Sequence, residues 1–199
     1  TVAPAPIGPV LVSAAGTLRR YASIKQKETW LKGIAEGSLQ ISAALEEYAN
    51  DDPTQPNASA TKTEGGYALS GTKICVSQTA TARRILLSAR NGDELVVALV
   101  DPRAAGINLQ PQVVTSGETL HELVMDSVQV PDEDIIAVGA KALEAMQWAQ
   151  QATRTALCAT MVGLADKMMR TTGSYTTERE QFGRPIATFQ AVSHRVADC

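Results

Sequence analysis

The spacing of apolar positions changes twice along this chain, and each change announces a different kind of element. The stretch "SIKQKETWLKGIAEG" sets Ile24, Trp30, Leu31 and Ile34 at near-helical spacing, with Ser23 as an N-cap and Gly37 as a stop. Ahead of it, "TVAPAPIGPVLVSAAG" reads as a linker entering a helix and lacks the basic leader of a signal peptide. From Ser38 to about Ala137 the period shortens to that of strands. "YALSGTKICVS" and "TLHELVMDSVQVP" alternate, the latter closed by Pro131, and "RRILLSAR" and "ELVVALVDP" are short β-rich runs. Asn91 to Glu94, "NGDE", is a hairpin signal. Strands at this spacing predict an antiparallel sandwich or barrel of about a hundred residues.

From Lys141 the pattern turns helical and stays so, with no proline until Pro185. A helix of that length spans about 60 Å. Ala152, Ala156, Ala159 and Gly163 on its faces predict close packing against other helices rather than a surface position. Gly183 and Pro185 break it, and a second helix begins at Phe189. That last helix has no partner long enough to bury it within this chain, so either the polypeptide is a fragment or another subunit covers it. The expected fold class is α+β and multidomain. It has a helical N-terminal segment at 1–37, an antiparallel middle β-barrel or sandwich at 38–137, and the start of a helical bundle at 138–199.

Composition adds constraints rather than a function. Of the 199 residues, 44% are apolar and 20% charged, with a net charge of -3, so no basic field favours nucleic acid. No apolar run approaches the ~18–20 residues that span a bilayer. Cys75, Cys158 and Cys199 are odd in number and far apart, which argues against a disulfide framework and a zinc site and fits a reducing cytoplasm. His121 and His194 are the two imidazoles, read as hydrogen-bonded or surface residues rather than catalysts. The pairs Arg19-Arg20 and Arg83-Arg84 read as solvated faces.

One set of landmarks is more specific. The run from Arg179 to Ile186, "REQFGRPI", followed by Phe189-Gln190 and "HRVAD" from His194 to Asp198, resembles the signature of acyl-CoA dehydrogenases. Upstream, "QKETWLKGIAEGSLQISAALEE", "GGYALSGTKICVSQTATARRILLSAR", "LVDPRAAGINLQPQ", "HELVMDSVQVPDEDII" and "TRTALCATMVGLAD" resemble successive parts of that family in the same order, in the manner of its bacterial steroid- and fatty-acid-degrading members. The resemblance implies an N-terminal helical domain, a middle β-barrel and a C-terminal four-helix bundle, of which this chain covers a truncated portion. It also implies FAD as cofactor, an acyl-CoA thioester as substrate and a homo- or hetero-oligomer (dimer or tetramer). Electron-transfer flavoprotein is implied as electron acceptor.

Residue by residue, the resemblance places Arg179, Gln181 and Phe182 where family members reach across a dimer interface to a neighbour's FAD, with Gln190 reaching the same cofactor. A guanidinium suits a pyrophosphate, which it can grip through two parallel charge-assisted hydrogen bonds. Without the resemblance, Arg179 would read as an ion-pair partner of Glu178 or Glu180, and Phe182 as bundle core. Departures are equally specific. The family's threonine-led glycine loop over the flavin ring becomes the segment from Leu45 to Asp52, "LEEYANDD", entered from Ala44. Leu45 replaces a hydroxyl that bonds the ring, and the proline and both glycines are gone. The family's Trp-Ile-Thr becomes Cys75-Val76-Ser77, so Ser77 keeps a hydroxyl for the flavin while Cys75 vacates the volume of an indole, some of which Tyr48 would fill. Asp51 stands at the thioester-facing position, and Arg154 at a substrate-side arginine. The family's alternative position for the glutamate base matches Thr153, which is no base, so no catalytic residue is assigned; Glu144 and Glu118 have no positional claim.

The expected activity is α,β-dehydrogenation of an acyl-CoA in lipid or steroid side-chain degradation. The alternative is a non-catalytic partner that completes the FAD site of a hetero-oligomer. A third reading keeps the fold and changes the chemistry, as in a nitroalkane oxidase or flavin monooxygenase.

Overall fold

A computed structural model describes residues 7–115 and 117–198; the Pro-Ala-Pro entry and Cys199 lie outside the described residues. Two compact units are present, Thr1–Arg154 and Thr155–Cys199.

The first unit opens with a π-helical segment, Ile7–Ala15, that runs into α1 (Gly16–Tyr21) and then α2 (Ile24–Ala35). Ser23 caps α2 in a reciprocal box with Gln26, a device that contributes about 1 kcal/mol. Gln26 also donates through Nε2 to the carbonyls of Glu133 and Ile135, 2.8 Å each, fastening α2 to the sheet. Trp30 is buried while Ile24 is exposed, so the apolar stripe of α2 begins later than its spacing predicts.

The sheet comprises β1 (Gln40–Ala44), β2 (Ser59–Thr63), β3 (Gly66–Ser77), β4 (Ala82–Asn91), β5 (Glu94–Val100), β6 (Ile107–Gln112), β7 (Leu120–Pro131) and β8 (Ile135–Val138). Its order is β6-β7-β3-β2-β4-β5-β8, with β1 also paired to β4. Most ladders are antiparallel, as the alternation predicts, but β1 and β2 both run parallel to β4. The chain re-enters the sheet at β4, where "RILLSA" and "LVVALV" lie between two apolar layers. Ile85, Leu87, Val96 and Ala98 face one core with Leu69, Val76, Leu123 and Val128. Leu86, Val97 and Leu99 face the other, with Leu18, Trp30 and Met146 from the helices. Double-faced burial is why these two strands are continuously apolar rather than alternating.

Asn91 pairs with Glu94 across the β4–β5 hairpin, where Gly92 has φ +61°. Arg84 departs from the solvated reading: it bonds Asp101 at 3.1 Å and Asp134 at 3.2 Å and lies over the Trp30 ring at 5.0 Å. Arg20 lies over Trp148.

Helix α3 (Ala140–Glu178) is 39 residues long. Its first turns belong to the first unit, with Ala142, Ala145, Met146 and Ala149 buried. In the second unit it carries exposed Leu157, Met161, Val162, Leu164 and Met168, so the close helix packing expected there is not made among the described residues. A short hairpin of β9 (Glu180–Gln181) and β10 (Arg184–Pro185) follows, then α4 (Gln190–Ala197). No helix among the described residues is long and apolar enough to cross a membrane.

Candidate functional site

The end of β3 is built unlike an ordinary strand. Its pairing with β7 shifts register between Lys73 and Val76, a bulge. Within and beyond it, Cys75 and Gln78 have φ of +56° and +58°, a left-handed backbone that costs a non-glycine residue about 1–2 kcal/mol. Between them sits Ser77. Its carbonyl accepts from the Ser42 hydroxyl at 2.6 Å, and its own hydroxyl oxygen is buried with no hydrogen-bond partner among the described residues. A buried hydroxyl without a partner is costly and uncommon, and it calls for an explanation.

Leu45 and Cys75 are neighbours of this point. The Ile74 N–H donates to the Glu46 carbonyl at 2.9 Å, bridging the two segments. Ala44 is buried in the core with Val76, and Leu45 packs half-buried toward the helical layer. The Cys75 N–H donates to Gln112 Oε1 at 2.8 Å and the residue itself is exposed. Partial burial and then the Glu46 carboxylate push its thiol up, away from the reactive thiolate. Tyr48 does not fill the volume of the missing indole. It is exposed and its hydroxyl donates to Glu122.

The composition-based reading missed the group that holds this region together. Lys73 is fully buried and its Nζ lies 2.6 Å from Glu47 Oε1, itself buried. The same carboxylate accepts from the backbone N–H groups of Asn57 and Ala58. Burial pushes the Glu47 carboxyl up. The hydrogen bond and charge of Lys73, with the two N–H groups, outweigh that and hold it below the ordinary carboxylate value. A signal was available: Lys73 continues the period-two series of buried Tyr67 and Leu69, so an inward lysine demanded a buried anion.

Asp51 and Arg154, both assigned to the substrate, meet each other. Arg154 Nη2 is 3.5 Å from Asp51 Oδ2, in an exposed pair, and Gln150 donates to the Asp51 carbonyl at 2.9 Å. Thr153 donates to the Ala149 carbonyl and shares a 2.7 Å hydrogen bond with Ser13. His121 bonds Thr79 through Nδ1 at 2.7 Å. Glu144 is exposed on α3.

In the second unit the remaining residues lie on and beside one turn. Phe182 and Gly183, with φ of +56° and +74°, link β9 to β10, a geometry that ordinarily selects Asn or Gly at both places. The turn holds Phe182 at 92% exposure, touching only the edge of Phe189 at 6.1 Å, while Arg184 lies over the Phe189 ring. Arg179 and Gln190 are exposed. Gln181, also exposed, donates to the Glu180 carbonyl. Arg179 forms no ion pair with Glu178 or Glu180 among the described residues, and Phe182 is not core.

Sequence comparison places these features in context. Residues 142–199 match the family description "Acyl-CoA dehydrogenase, C-terminal domain". Acyl-CoA dehydrogenase FadE28 of Mycobacterium tuberculosis is 33% identical over 181 residues, covering 91% of this chain and 49% of that protein. Residues 142–199 thus fall within the acyl-CoA dehydrogenase family, and the chain as a whole is similar to its members. It spans about half the length of the curated relatives it matches. Among solved structures, the Tcur3481-Tcur3483 steroid ACAD superposes with a TM-score of 0.87 at 37% identity, covering 99% of this chain and 52% of that one. The ChsE4-ChsE5 complex from Mycobacterium tuberculosis gives 0.86 at 26% identity, covering 98% and 52%.

For an acyl-CoA dehydrogenase chain the flavin is the group to test against these residues. The fit is favourable at one atom and poor at another. Ser77 supplies a buried hydroxyl with nothing to bond, at the bent end of a strand, whereas Leu45 offers no polar atom at all.

Proposed function

We propose that this chain is part of an FAD-dependent acyl-CoA dehydrogenase subunit, acting on an acyl-CoA of lipid or steroid side-chain degradation. The observation that carries the reading is the buried, unpartnered Ser77 hydroxyl held between two left-handed residues. When bound, FAD supplies the hydride acceptor for oxidation of the carbon pair beside a thioester.

The chain's own residues divide the remaining work. Ser77 donates or accepts one hydrogen bond at the flavin, and Ser42 holds the Ser77 carbonyl so that this hydroxyl stays in place. Arg179, without an ion pair among the described residues, suits the pyrophosphate of a flavin bound mainly by a neighbouring subunit, with Gln181, Phe182 and Gln190 beside it. Arg154 steadies an anionic arm of the substrate only after Asp51 gives it up. None of these residues removes a proton; the base lies outside the assigned set. Electron-transfer flavoprotein is the electron acceptor in this reading.

A second reading is favoured by the Asp51–Arg154 pair and by the hydroxyl lost at Leu45. In it, the chain lends Arg179 and Phe182 to the flavin of a different, homologous subunit and turns over nothing itself. The Tcur3481-Tcur3483 ACAD and the ChsE4-ChsE5 complex support the hetero-oligomer as a form to test. Flavin titration of apoprotein separates the two: Ser77→Ala weakens FAD binding to this subunit in the first reading and leaves it unchanged in the second.

A further inference from the structure

Two left-handed residues, Cys75 and Gln78, enclosing Val76 and Ser77 are a strained arrangement, and such strain persists only where the surroundings hold it. Ser42 holds the downstream side of the bend, through the Ser77 carbonyl. Upstream of the bulge, β3 is gripped at Ile74 by the Glu46 carbonyl and at Lys73 by the Glu47 carboxylate. Glu47 in turn is anchored by the N–H groups of Asn57 and Ala58, so both ends of the segment 47–58 converge on one carboxylate. The segment contains no glycine, and its proline positions, Pro53 and Pro56, lie late in it. Its path is therefore set by tethers rather than by backbone stiffness at the turn. Ser88 on β4 adds another, donating to the Pro53 carbonyl at 2.7 Å.

We infer that Glu47 and Lys73 form a positioning pair for the flavin-facing hydroxyl: their buried contact locks the 47–58 loop against β3 and fixes the bend that presents Ser77. Neither residue touches the cofactor. The pair does by an ionic tether what a proline-glycine loop does by restricted backbone. The inference rests on the reading that Ser77 bonds the flavin, and it adds that Ser77 does so only while the tether is intact.

The test is a double-mutant cycle on the complete flavoprotein, stripped of FAD and titrated with FAD. Lys73→Met combined with Glu47→Gln removes both buried charges, keeps an acceptor oxygen for one of the Asn57 and Ala58 N–H groups, and cuts the ionic link to β3. Urea unfolding confirms that this neutral pair variant is folded. Ser77→Ala alone weakens FAD binding by about three- to tenfold, the size of one net hydrogen bond. The neutral pair variant is expected to weaken it by the same factor, and the triple variant by no more than either. Both sets of variants should move the visible flavin spectrum in the same way. FAD affinity unchanged in the neutral pair variant overturns the inference while leaving the Ser77 reading intact. Factors that multiply in the triple variant also overturn it, because the pair then acts on stability or elsewhere and not through Ser77. If Ser77→Ala itself leaves FAD affinity unchanged, the flavin reading fails and the inference falls with it.

Discussion

Removing the Ser77 hydroxyl separates two effects that usually travel together. That oxygen is buried without a partner among the described residues, so Ser77→Ala should raise the stability of the FAD-free protein toward urea by about 1 kcal/mol while it weakens FAD binding. Glu47 and Lys73 behave in the opposite sense. Lys73→Met alone strands a buried carboxylate and should cost about 3–5 kcal/mol. The Glu47 carboxyl titrates below its ordinary value of 4.5 in the folded chain. Its contribution is therefore complete above that value and lost as pH falls through the depressed one. Unfolding free energies of wild type and Glu47→Gln should accordingly converge in acid and stay apart at neutral pH; parallel curves across the acid range would show that the charge is irrelevant. Asp51 and Arg154 are exposed, so Asp51→Asn should change stability by less than about 1 kcal/mol, with an effect that salt diminishes. At this scale the resemblance singles out Ser77 and Arg179 as candidates for the flavin. It hid the Asp51–Arg154 pairing, which joins residues a hundred positions apart.

At the scale of elements, the hairpin of β9 and β10 carries its own test. Phe182 occupies a left-handed position and is nearly free of contacts. Phe182→Gly should relieve about 1–2 kcal/mol of local backbone cost, seen as slower amide exchange in the hairpin. It should also weaken flavin binding in the oligomer if the ring packs on the cofactor. No gain in protection would show that the turn is held by its neighbours. Helix limits were legible because caps and breakers are local: Ser23 with Gly37, and Gly183 with Pro185. The parallel pairing of β1 and β2 with β4 was not, since alternation reports which face is buried and not which strand lies alongside. The bulge at Cys75 was equally silent, because the groups that grip β3 beside it, the Glu46 carbonyl and the Glu47 carboxylate, come from another segment.

For the whole molecule, the division at Arg154 has a physical meaning. Before it α3 is buried against the sheet layers, and beyond it the helix carries exposed leucine, methionine and valine side chains. Helices hold their hydrogen bonds mainly through tertiary packing. In the chain as given, amide exchange along α3 should be slow over 142–149 and markedly faster over 157–175; uniform protection would show that the second part is stable unaided. Small residues at Ala156, Ala159 and Gly163 suit close packing against another helix, which is not made among the described residues, and periodicity alone cannot say which chain supplies a partner. The measurement that bears most directly on function is the visible flavin absorbance of the complete protein purified alone. The expected result is about one FAD per subunit, reduced on adding an acyl-CoA. A colourless protein that turns yellow only when a homologous subunit is supplied would contradict it, and would mean that this chain lends contacts to a flavin held elsewhere.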